Sequence, residues 1–256
     1  MRTVVVLQAM LLTLVGCAGT RVDFPATRVY PPASGKLVAD VFRPDTPGPM
    51  PAVVLLGPCG GVTDHEYGWA ARLRDRGYLA IVVQSLASRG VTNACRGEVP
   101  QVPHVAADAL AALRWLSMQP GVDATRVAVI GWSHGAGAAL DVSRLSARDY
   151  DYEGWPRFRA AVAYYPPCEF ADVLTKTPTL ILLAEQDDWT PPGRCQGVER
   201  DAENVTARMY AGALHAFDQP GPLRTYLGHR LAYDPTATNS AMQETLGFLD
   251  RELRGR

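Results

Sequence analysis

The chain has 256 residues, of which 47% are hydrophobic and 20% charged, and its formal net charge is −1. A chain of this length buries a sizeable core within one domain of ordinary size. Because the charge is near neutral and no basic run occurs, binding of nucleic acid through phosphate neutralisation is not expected. No segment of about 20 to 50 residues repeats, which argues against a solenoid or a propeller.

The first 16 residues have the pattern of an export signal. Arg2 precedes an apolar run over residues 4–15, which is shorter than the roughly 20 residues that span a bilayer. The letters LVGC at its end resemble the bacterial lipoprotein lipobox, in which a peptidase cuts before a lipid-modified cysteine. The resemblance implies a lipoprotein signal peptide over residues 1–16 and a lipid anchor at Cys17, so an exported protein held in the cell envelope is expected. The alternative is an ordinary signal peptide cut nearby, with Cys17 incidental.

Four cysteines follow the predicted signal peptide and its lipidation site: Cys59, Cys95, Cys168 and Cys195. An even number of cysteines in an oxidising compartment suggests two disulfides. Buried free thiols are the alternative.

The predicted elements alternate along the chain. Residues 17–35 are weakly patterned and are interpreted as a tether, and residues 36–256 as a single domain. Strands are predicted at residues 36–44, 52–57, 78–84, 126–131, 158–166, 178–184 and 203–210, and helices at 67–76, 105–119, 134–146 and 239–253. This order predicts an α/β fold with a mostly parallel central sheet and helices on both faces. Residues 148–158 interrupt the alternation as either a small lid or a long surface loop.

A serine stands between two glycines in the stretch GWSHGA. Ser133 has Gly131 and Gly135 on either side, in G-x-S-x-G spacing, between a predicted strand and a predicted helix. A nucleophile at such a sharp turn has a strained backbone, and larger side chains at the two glycines would clash with the strand and the helix. The placement at a strand-to-helix junction makes Ser133 a candidate nucleophile.

A serine hydroxyl needs a base to take its proton. His215 shortly follows the last predicted strand, which is where the base of this arrangement belongs. His65 and His104 precede Ser133 in the chain, and His229 lies too far from any predicted strand end. His215 is therefore the candidate base, and a loop histidine with only local hydrogen bonds is the alternative.

The acid that orients the base should follow a strand between the nucleophile and the histidine. Asp187 and Asp188 both follow the strand at 178–184. The chain order Ser133, Asp187, His215 matches that of α/β-hydrolases, in which the acid fixes the imidazole tautomer. Asp188 remains open as the acid, and is otherwise a solvated or helix-capping residue.

A glycine-rich loop, GPCGG, follows the second buried strand. The backbone N–H groups of Cys59 and His134 are the candidate donors of an oxyanion hole, each worth about 3 to 4 kcal/mol. Pro58 has no N–H and cannot donate. A plain strand-to-helix turn is the alternative for this loop.

Residues 36–253 together resemble the dienelactone hydrolase family of α/β-hydrolases. The stretches similar to family motifs are residues 51–83, GWSHGA, AEQDDWTPPGRC and GALHAF. The resemblance implies the α/β-hydrolase fold, with Ser133, Asp187 and His215 as the triad and Cys59 and His134 as the oxyanion donors. The namesake enzymes use a cysteine nucleophile on an enol-lactone, so a serine here favours esterase chemistry. The usual histidine-glycine before the oxyanion residue is replaced by glycine-proline.

Placing the cysteines on this fold suggests their pairing. Cys59 and Cys95 follow neighbouring strands, and Cys168 and Cys195 follow another adjacent pair. The disulfides Cys59–Cys95 and Cys168–Cys195 are therefore expected.

The expected activity is hydrolysis of small-molecule carboxylic esters or lactones through an acyl-enzyme, with no metal or organic cofactor. An acyltransferase or a peptidase would use the same triad. A non-catalytic envelope lipoprotein that keeps the scaffold is a further alternative, because fold does not determine function. The sequence does not indicate an oligomeric state.

Overall fold

The computed structural model describes residues 19–26, 35–144, 155–168, 177–195 and 204–255. The strands of the main sheet are β1 (Thr20–Pro25), β2 (Lys36–Phe42), β3 (Met50–Leu56), β4 (Leu79–Val83), β5 (Val122–Trp132), β6 (Ala160–Tyr164), β7 (Thr179–Ala184) and β8 (Val205–Tyr210). They lie in the order β1-β2-β4-β3-β5-β6-β7-β8. β1 and β2 are antiparallel to their neighbours, and β3 to β8 pair in parallel.

The helices are α1 (Asp64–Asp75), α2 (Val102–Ser117), α3 (His134–Arg144) and α4 (Pro235–Arg254). α1 and α4 pack in the core on one face of the sheet, and α2 and α3 in the core on the other. The expected fold class, a mostly parallel sheet with helices on both faces, is confirmed. Within the described ranges, no helix is both long enough and apolar enough to cross a bilayer.

The domain begins earlier than the sequence pattern suggested. Residues 20–25, interpreted as part of a tether over 17–35, form the edge strand β1. Phe24 is buried and stacks on Trp115 with ring centroids 5.6 Å apart, and Arg21 pairs with Asp40 at 2.9 Å. The tether prediction is wrong for this segment because its alternating Val22 and Phe24 supply a half-buried strand face.

Several sequence predictions fall on residues outside the described ranges. These are the signal peptide at 1–16, the lipidation site Cys17, residues 27–34 of the tether and residues 148–154 of the possible lid.

A short hairpin between β8 and α4 was not predicted. It consists of β9 (Arg224–Tyr226) and β10 (His229–Leu231). Its two turn residues, Leu227 and Gly228, have φ of 51° and 90°, as a two-residue hairpin turn requires. Leu231 forms a bridge with His215, which places the hairpin against the histidine loop.

Candidate active site

Ser133 lies at the junction of β5 and α3, with φ of 50° in the left-handed region. A side-chain carbon at Gly131 would overlap the backbone of Gly135, and one at Gly135 would overlap the carbonyl oxygen of Leu56. The turn is therefore possible only with glycine at both positions. The strained φ of a serine at this point is typical of a residue held for function.

Three side chains distant in the chain meet at the carboxyl edge of the sheet, where ligands bind in folds of this kind. Oγ of Ser133 lies 3.1 Å from Nε2 of His215, and Nδ1 of His215 lies 2.7 Å from Oδ2 of Asp187. All three residues are buried. When Nδ1–H donates to Asp187, Nε2 is free to accept the serine proton.

Asp187 is held as an anion by its surroundings. The backbone N–H groups of Trp189 and Thr190 both donate to Oδ1 at 2.9 Å, and the Thr190 hydroxyl lies 2.8 Å from Oδ2. Burial acts to raise the pKa of Asp187, but the hydrogen bond and electrostatic attraction of His215, with the hydrogen bonds from the backbone and hydroxyl of Thr190, outweigh it and lower the pKa. Thr190 was not singled out from the sequence, although its position shortly after an aspartate is typical of such a turn.

The alternative acid, Asp188, points elsewhere. Its carboxylate accepts the backbone N–H of Arg230 at 3.2 Å and lies 3.3 Å from Nδ1 of His229. Its side chain is 40% exposed. Asp188 therefore anchors the hairpin, and it is Asp187 that reaches His215.

The predicted oxyanion donors lie on two adjacent backbone segments. The close approach of Gly135 to the carbonyls of Leu56 and Gly57 sets the start of α3 against the loop that carries Cys59. In the described part of the chain, the backbone N–H groups of Cys59 and His134 have no hydrogen-bond acceptor. Burial lowers the pKa of the His134 side chain, so its imidazole is neutral.

Both expected disulfides are present. Cys59 is bonded to Cys95 with Cα atoms 4.8 Å apart, and Cys168 is bonded to Cys195 with Cα atoms 5.2 Å apart. Each joins loops that follow neighbouring strands. A hydrogen bond of 2.8 Å from the N–H of Ala94 to the carbonyl of Cys59 adds to the first link.

An aromatic wall, formed by Trp189, Tyr226 and His229, lies beside the candidate base, His215. The Trp189 ring lies 5.1 Å from that of His215, stacks on His229 at 4.9 Å and lies 5.8 Å from Tyr226. The Tyr226 hydroxyl accepts a 2.9 Å hydrogen bond from Asn93. His229, judged too far from any strand end, is close to the site because the unpredicted hairpin carries it there.

A second cluster of ionisable side chains lies nearby and was not predicted. His65, excluded as a base by chain order, has Nε2 3.0 Å from Oδ2 of Asp218 and Nδ1 3.0 Å from Oε1 of Glu66. Asp218 and Glu66 are both buried. Local sequence offers no signal for this cluster, since Asp218 is 153 residues from His65.

The arrangement suits nucleophilic acyl transfer, because the candidate nucleophile, base and orienting acid form one hydrogen-bonded chain. Among the described residues, no group of three or more histidines, cysteines or carboxylates is arranged to hold a metal ion.

The chain is similar to known proteins along most of its length. The dienelactone hydrolase family matches residues 37–253. A Bradyrhizobium protein named a probable 2-oxo-3-(5-oxofuran-2-ylidene)propanoate lactonase is 24% identical over 243 residues, covering 86% of this chain and 91% of the relative.

Two solved structures share the fold. P91, a dienelactone hydrolase-like promiscuous phosphotriesterase from metagenomic libraries, superposes with a TM-score of 0.70 at 22% identity, covering 92% of this chain and 99% of that one. The propionate-bound esterase Est2 of the planctomycete Thermogutta terrifontis superposes with a TM-score of 0.62 at 19% identity, covering 83% and 88%. With the family match spanning most of the chain, the protein belongs to the dienelactone hydrolase family and is a hydrolase of the α/β-hydrolase fold.

Proposed function

We propose that this protein is a serine hydrolase that cleaves carboxylic esters or lactones through an acyl-enzyme formed on Ser133. The observation that carries the proposal is the hydrogen-bonded chain from Ser133 through His215 to Asp187, with distances of 3.1 and 2.7 Å. The similarity to a protein named a lactonase and to an esterase structure supports the same substrate class.

In the first half-reaction, Oγ of Ser133 attacks the carbonyl carbon while Nε2 of His215 takes the serine proton. The carbonyl oxygen becomes an oxyanion, which accepts hydrogen bonds from the N–H groups of Cys59 and His134. Asp187 stabilises the imidazolium that has formed on His215. The intermediate then collapses, the bond to the alkoxide breaks, and His215 gives the alkoxide its proton.

In the second half-reaction, water attacks the acyl carbon and gives a proton to His215. The bond between the acyl carbon and Oγ breaks, and His215 returns the proton to Ser133. With a lactone, the alcohol released in the first step remains attached to the acyl group, so the product is one hydroxy acid.

The rival functions have less support. Acyl transfer to an alcohol or cleavage of peptides would use the same residues, and no feature of the site favours either. A non-catalytic scaffold predicts a missing triad member, whereas Ser133, His215 and Asp187 are all in place.

The test combines a fluorophosphonate probe with hydrolysis of p-nitrophenyl esters of increasing chain length and of simple lactones. The probe should label Ser133, and Ser133→Ala should lower kcat by about 10⁴-fold or more. Ser143→Ala is a matched control, because Ser143 is a buried serine of α3 that donates to Leu140. Near-normal turnover in Ser133→Ala would exclude the mechanism.

We further propose export to the cell envelope and lipid attachment at Cys17. The two disulfides support an oxidising compartment. Because β1 begins at Thr20, only residues 18 and 19 would separate the lipid from the sheet, and the domain would sit close to the bilayer. Labelled fatty acid should appear on the wild-type protein and be absent from Cys17→Ser. Equal labelling of both, or of neither, would refute the anchor.

A further inference from the structure

Asp218 is a buried carboxylate on which three side chains converge. Its Oδ1 accepts the hydroxyl of Tyr165 at 2.7 Å. Its Oδ2 accepts the indole N–H of Trp132 at 2.8 Å and lies 3.0 Å from Nε2 of His65. Asp218 is 4% exposed. The triad makes no direct use of this carboxylate, so its three donors call for another explanation.

Hydrogen-bond donors face both carboxylate oxygens of Asp218. The ring of His65 lies between two carboxylates, Asp218 and Glu66, so both of its nitrogens can donate only if the imidazole is protonated. Burial acts to lower the pKa of His65, but the hydrogen bonds and charges of Asp218 and Glu66 outweigh it and raise the pKa to about 10. A cationic His65 and the Trp132 N–H can only donate, which suits an anionic acceptor between them.

Two of the three partners of Asp218, Trp132 and Tyr165, adjoin a residue of the triad or its support. Trp132 is the residue before Ser133. The Tyr165 ring packs on His215 with centroids 4.7 Å apart, and the Tyr165 carbonyl lies 3.0 Å from the hydroxyl of Thr190. Asp218 itself is on the loop that carries His215. One carboxylate therefore connects the nucleophile, the base and the loop of the acid.

The same region contains the strained backbone of the site. Among the described residues, the non-glycine positions with positive φ include Ser133 at 50°, Tyr165 at 39° and Ala216 at 58°. Tyr165 is itself a partner of Asp218. Ser133 follows the partner Trp132, and Ala216 lies two residues before Asp218. Strained conformations persist only where surrounding contacts over-determine them.

We propose that Asp218 is a positioning residue of the hydrolase. It locks three parts in register through Trp132, Tyr165 and its own backbone: the strand-to-helix turn at Ser133 (the elbow), the loop that carries His215 and the end of β6. The proposal rests on the proposed function, since it concerns the geometry of that triad. His65 places an opposite charge beside the buried carboxylate of Asp218.

The test measures kcat and KM per active site, with sites counted by fluorophosphonate titration so that misfolded protein is not scored. Asp218→Asn should lower kcat by about 10²-fold with little change in KM, as expected when reacting groups move by about 1 Å. Tyr165→Phe removes only the hydroxyl that reaches Asp218, and it should lower kcat by a smaller factor. It keeps the proposal testable if Asp218→Asn does not fold.

Tyr78 and Asp250 provide matched controls. The hydroxyl of the buried Tyr78 donates to the half-buried Asp250 at 2.6 Å, and this tyrosine–aspartate pair joins the residue before β4 to α4, at the edge of the sheet opposite the site. Tyr78→Phe and Asp250→Asn should reduce thermal stability while leaving kcat per titrated site unchanged. A purely structural Asp218 would behave in the same way.

A double-mutant cycle separates the remaining outcomes. If Tyr165 acts through Asp218, the combination of both substitutions should lower kcat no further than Asp218→Asn alone. Wild-type kcat per titrated site in Asp218→Asn or in Tyr165→Phe, whatever the change in stability, would overturn the positioning role. A wild-type protein that neither reacts with the probe nor hydrolyses any ester or lactone would instead overturn the proposed function.

Discussion

Cys59, on the glycine-rich loop after β3, is bonded to Cys95 in the loop after β4, with Cα atoms 4.8 Å apart. The proposed oxyanion donor is thus part of a covalent cross-link between two loops at the edge of the sheet. Because this bond holds the loop, the position of the Cys59 N–H depends on whether Cys59 and Cys95 are oxidised to the disulfide.

Replacing both Cys59 and Cys95 by serine should therefore affect stability and turnover together. The cross-link spans 36 residues, and its loss should lower the free energy of unfolding by about 4 kcal/mol on a chain-entropy estimate. The kcat for esters should fall by up to about 10²-fold, the cost of a displaced oxyanion donor. Urea unfolding and steady-state kinetics measure the two effects.

The second disulfide serves as the control for this prediction. Replacing Cys168 and Cys195 by serine removes a cross-link of 27 residues, for which the same estimate is about 3.5 kcal/mol. This variant should lose comparable stability and keep most of its turnover. If both variants kept the wild-type kcat, the Cys59–Cys95 bond would not position the oxyanion donor.

The two adjacent aspartates allow a test of the acid. Asp187→Asn should lower kcat by about 10⁴-fold, because an amide in this position no longer selects the productive tautomer of His215. Asp188→Asn changes a carboxylate that contacts Arg230 and His229 instead, and it should retain kcat within about tenfold of the wild type. Comparable losses in the two variants would contradict the assignment of Asp187.

The charge on His65 predicts a pH dependence of stability. The pKa of His65 is raised from 6.5 to about 10 in the folded protein, so the folded state holds a proton that the unfolded chain releases. The resulting stabilisation is fully present below about pH 6.5 and is lost as pH rises through about 10, by up to about 5 kcal/mol.

His65→Gln isolates this effect, since it removes the titrating group and leaves the rest of the chain unchanged. The difference in unfolding free energy between wild type and His65→Gln should shrink steadily from neutral pH to pH 10, as measured by urea unfolding. A difference that stays constant over this range would show that His65 is neutral in the folded protein.

Two glycines in different surroundings test the geometry of the elbow. Gly131→Ala should lower the free energy of unfolding by about 3 kcal/mol or more, because its methyl group would overlap the backbone of Gly135. Gly68 is exposed within α1 with open space around its Cα, so Gly68→Ala should stabilise the protein by about 0.5 to 1 kcal/mol. Thermal unfolding compares the two, and a tolerated Gly131→Ala would contradict the described turn.

The sequence by itself determined the fold class and the candidate triad. Both depend on local signals: buried strands are short apolar runs, the elbow needs glycines two residues from the serine, and parallel strands bring their following loops to one edge. The positions of Ser133, Asp187 and His215 just after strands were therefore readable in the chain. The disulfide pairing came from the fold that the family resemblance implies, in which the cysteines follow neighbouring strands.

Only the tertiary structure decided the surroundings of that triad. Residues 20–25 became a strand because β2 offered a free edge, and the hairpin that carries His229 is too short to have a pattern of its own. Asp218, His65, Trp132 and Tyr165 come from four separate segments and make contact only when the sheet and α1 align them. Their hydrogen bonds depend on distances across the folded chain, and no local pattern of residue types encodes those distances.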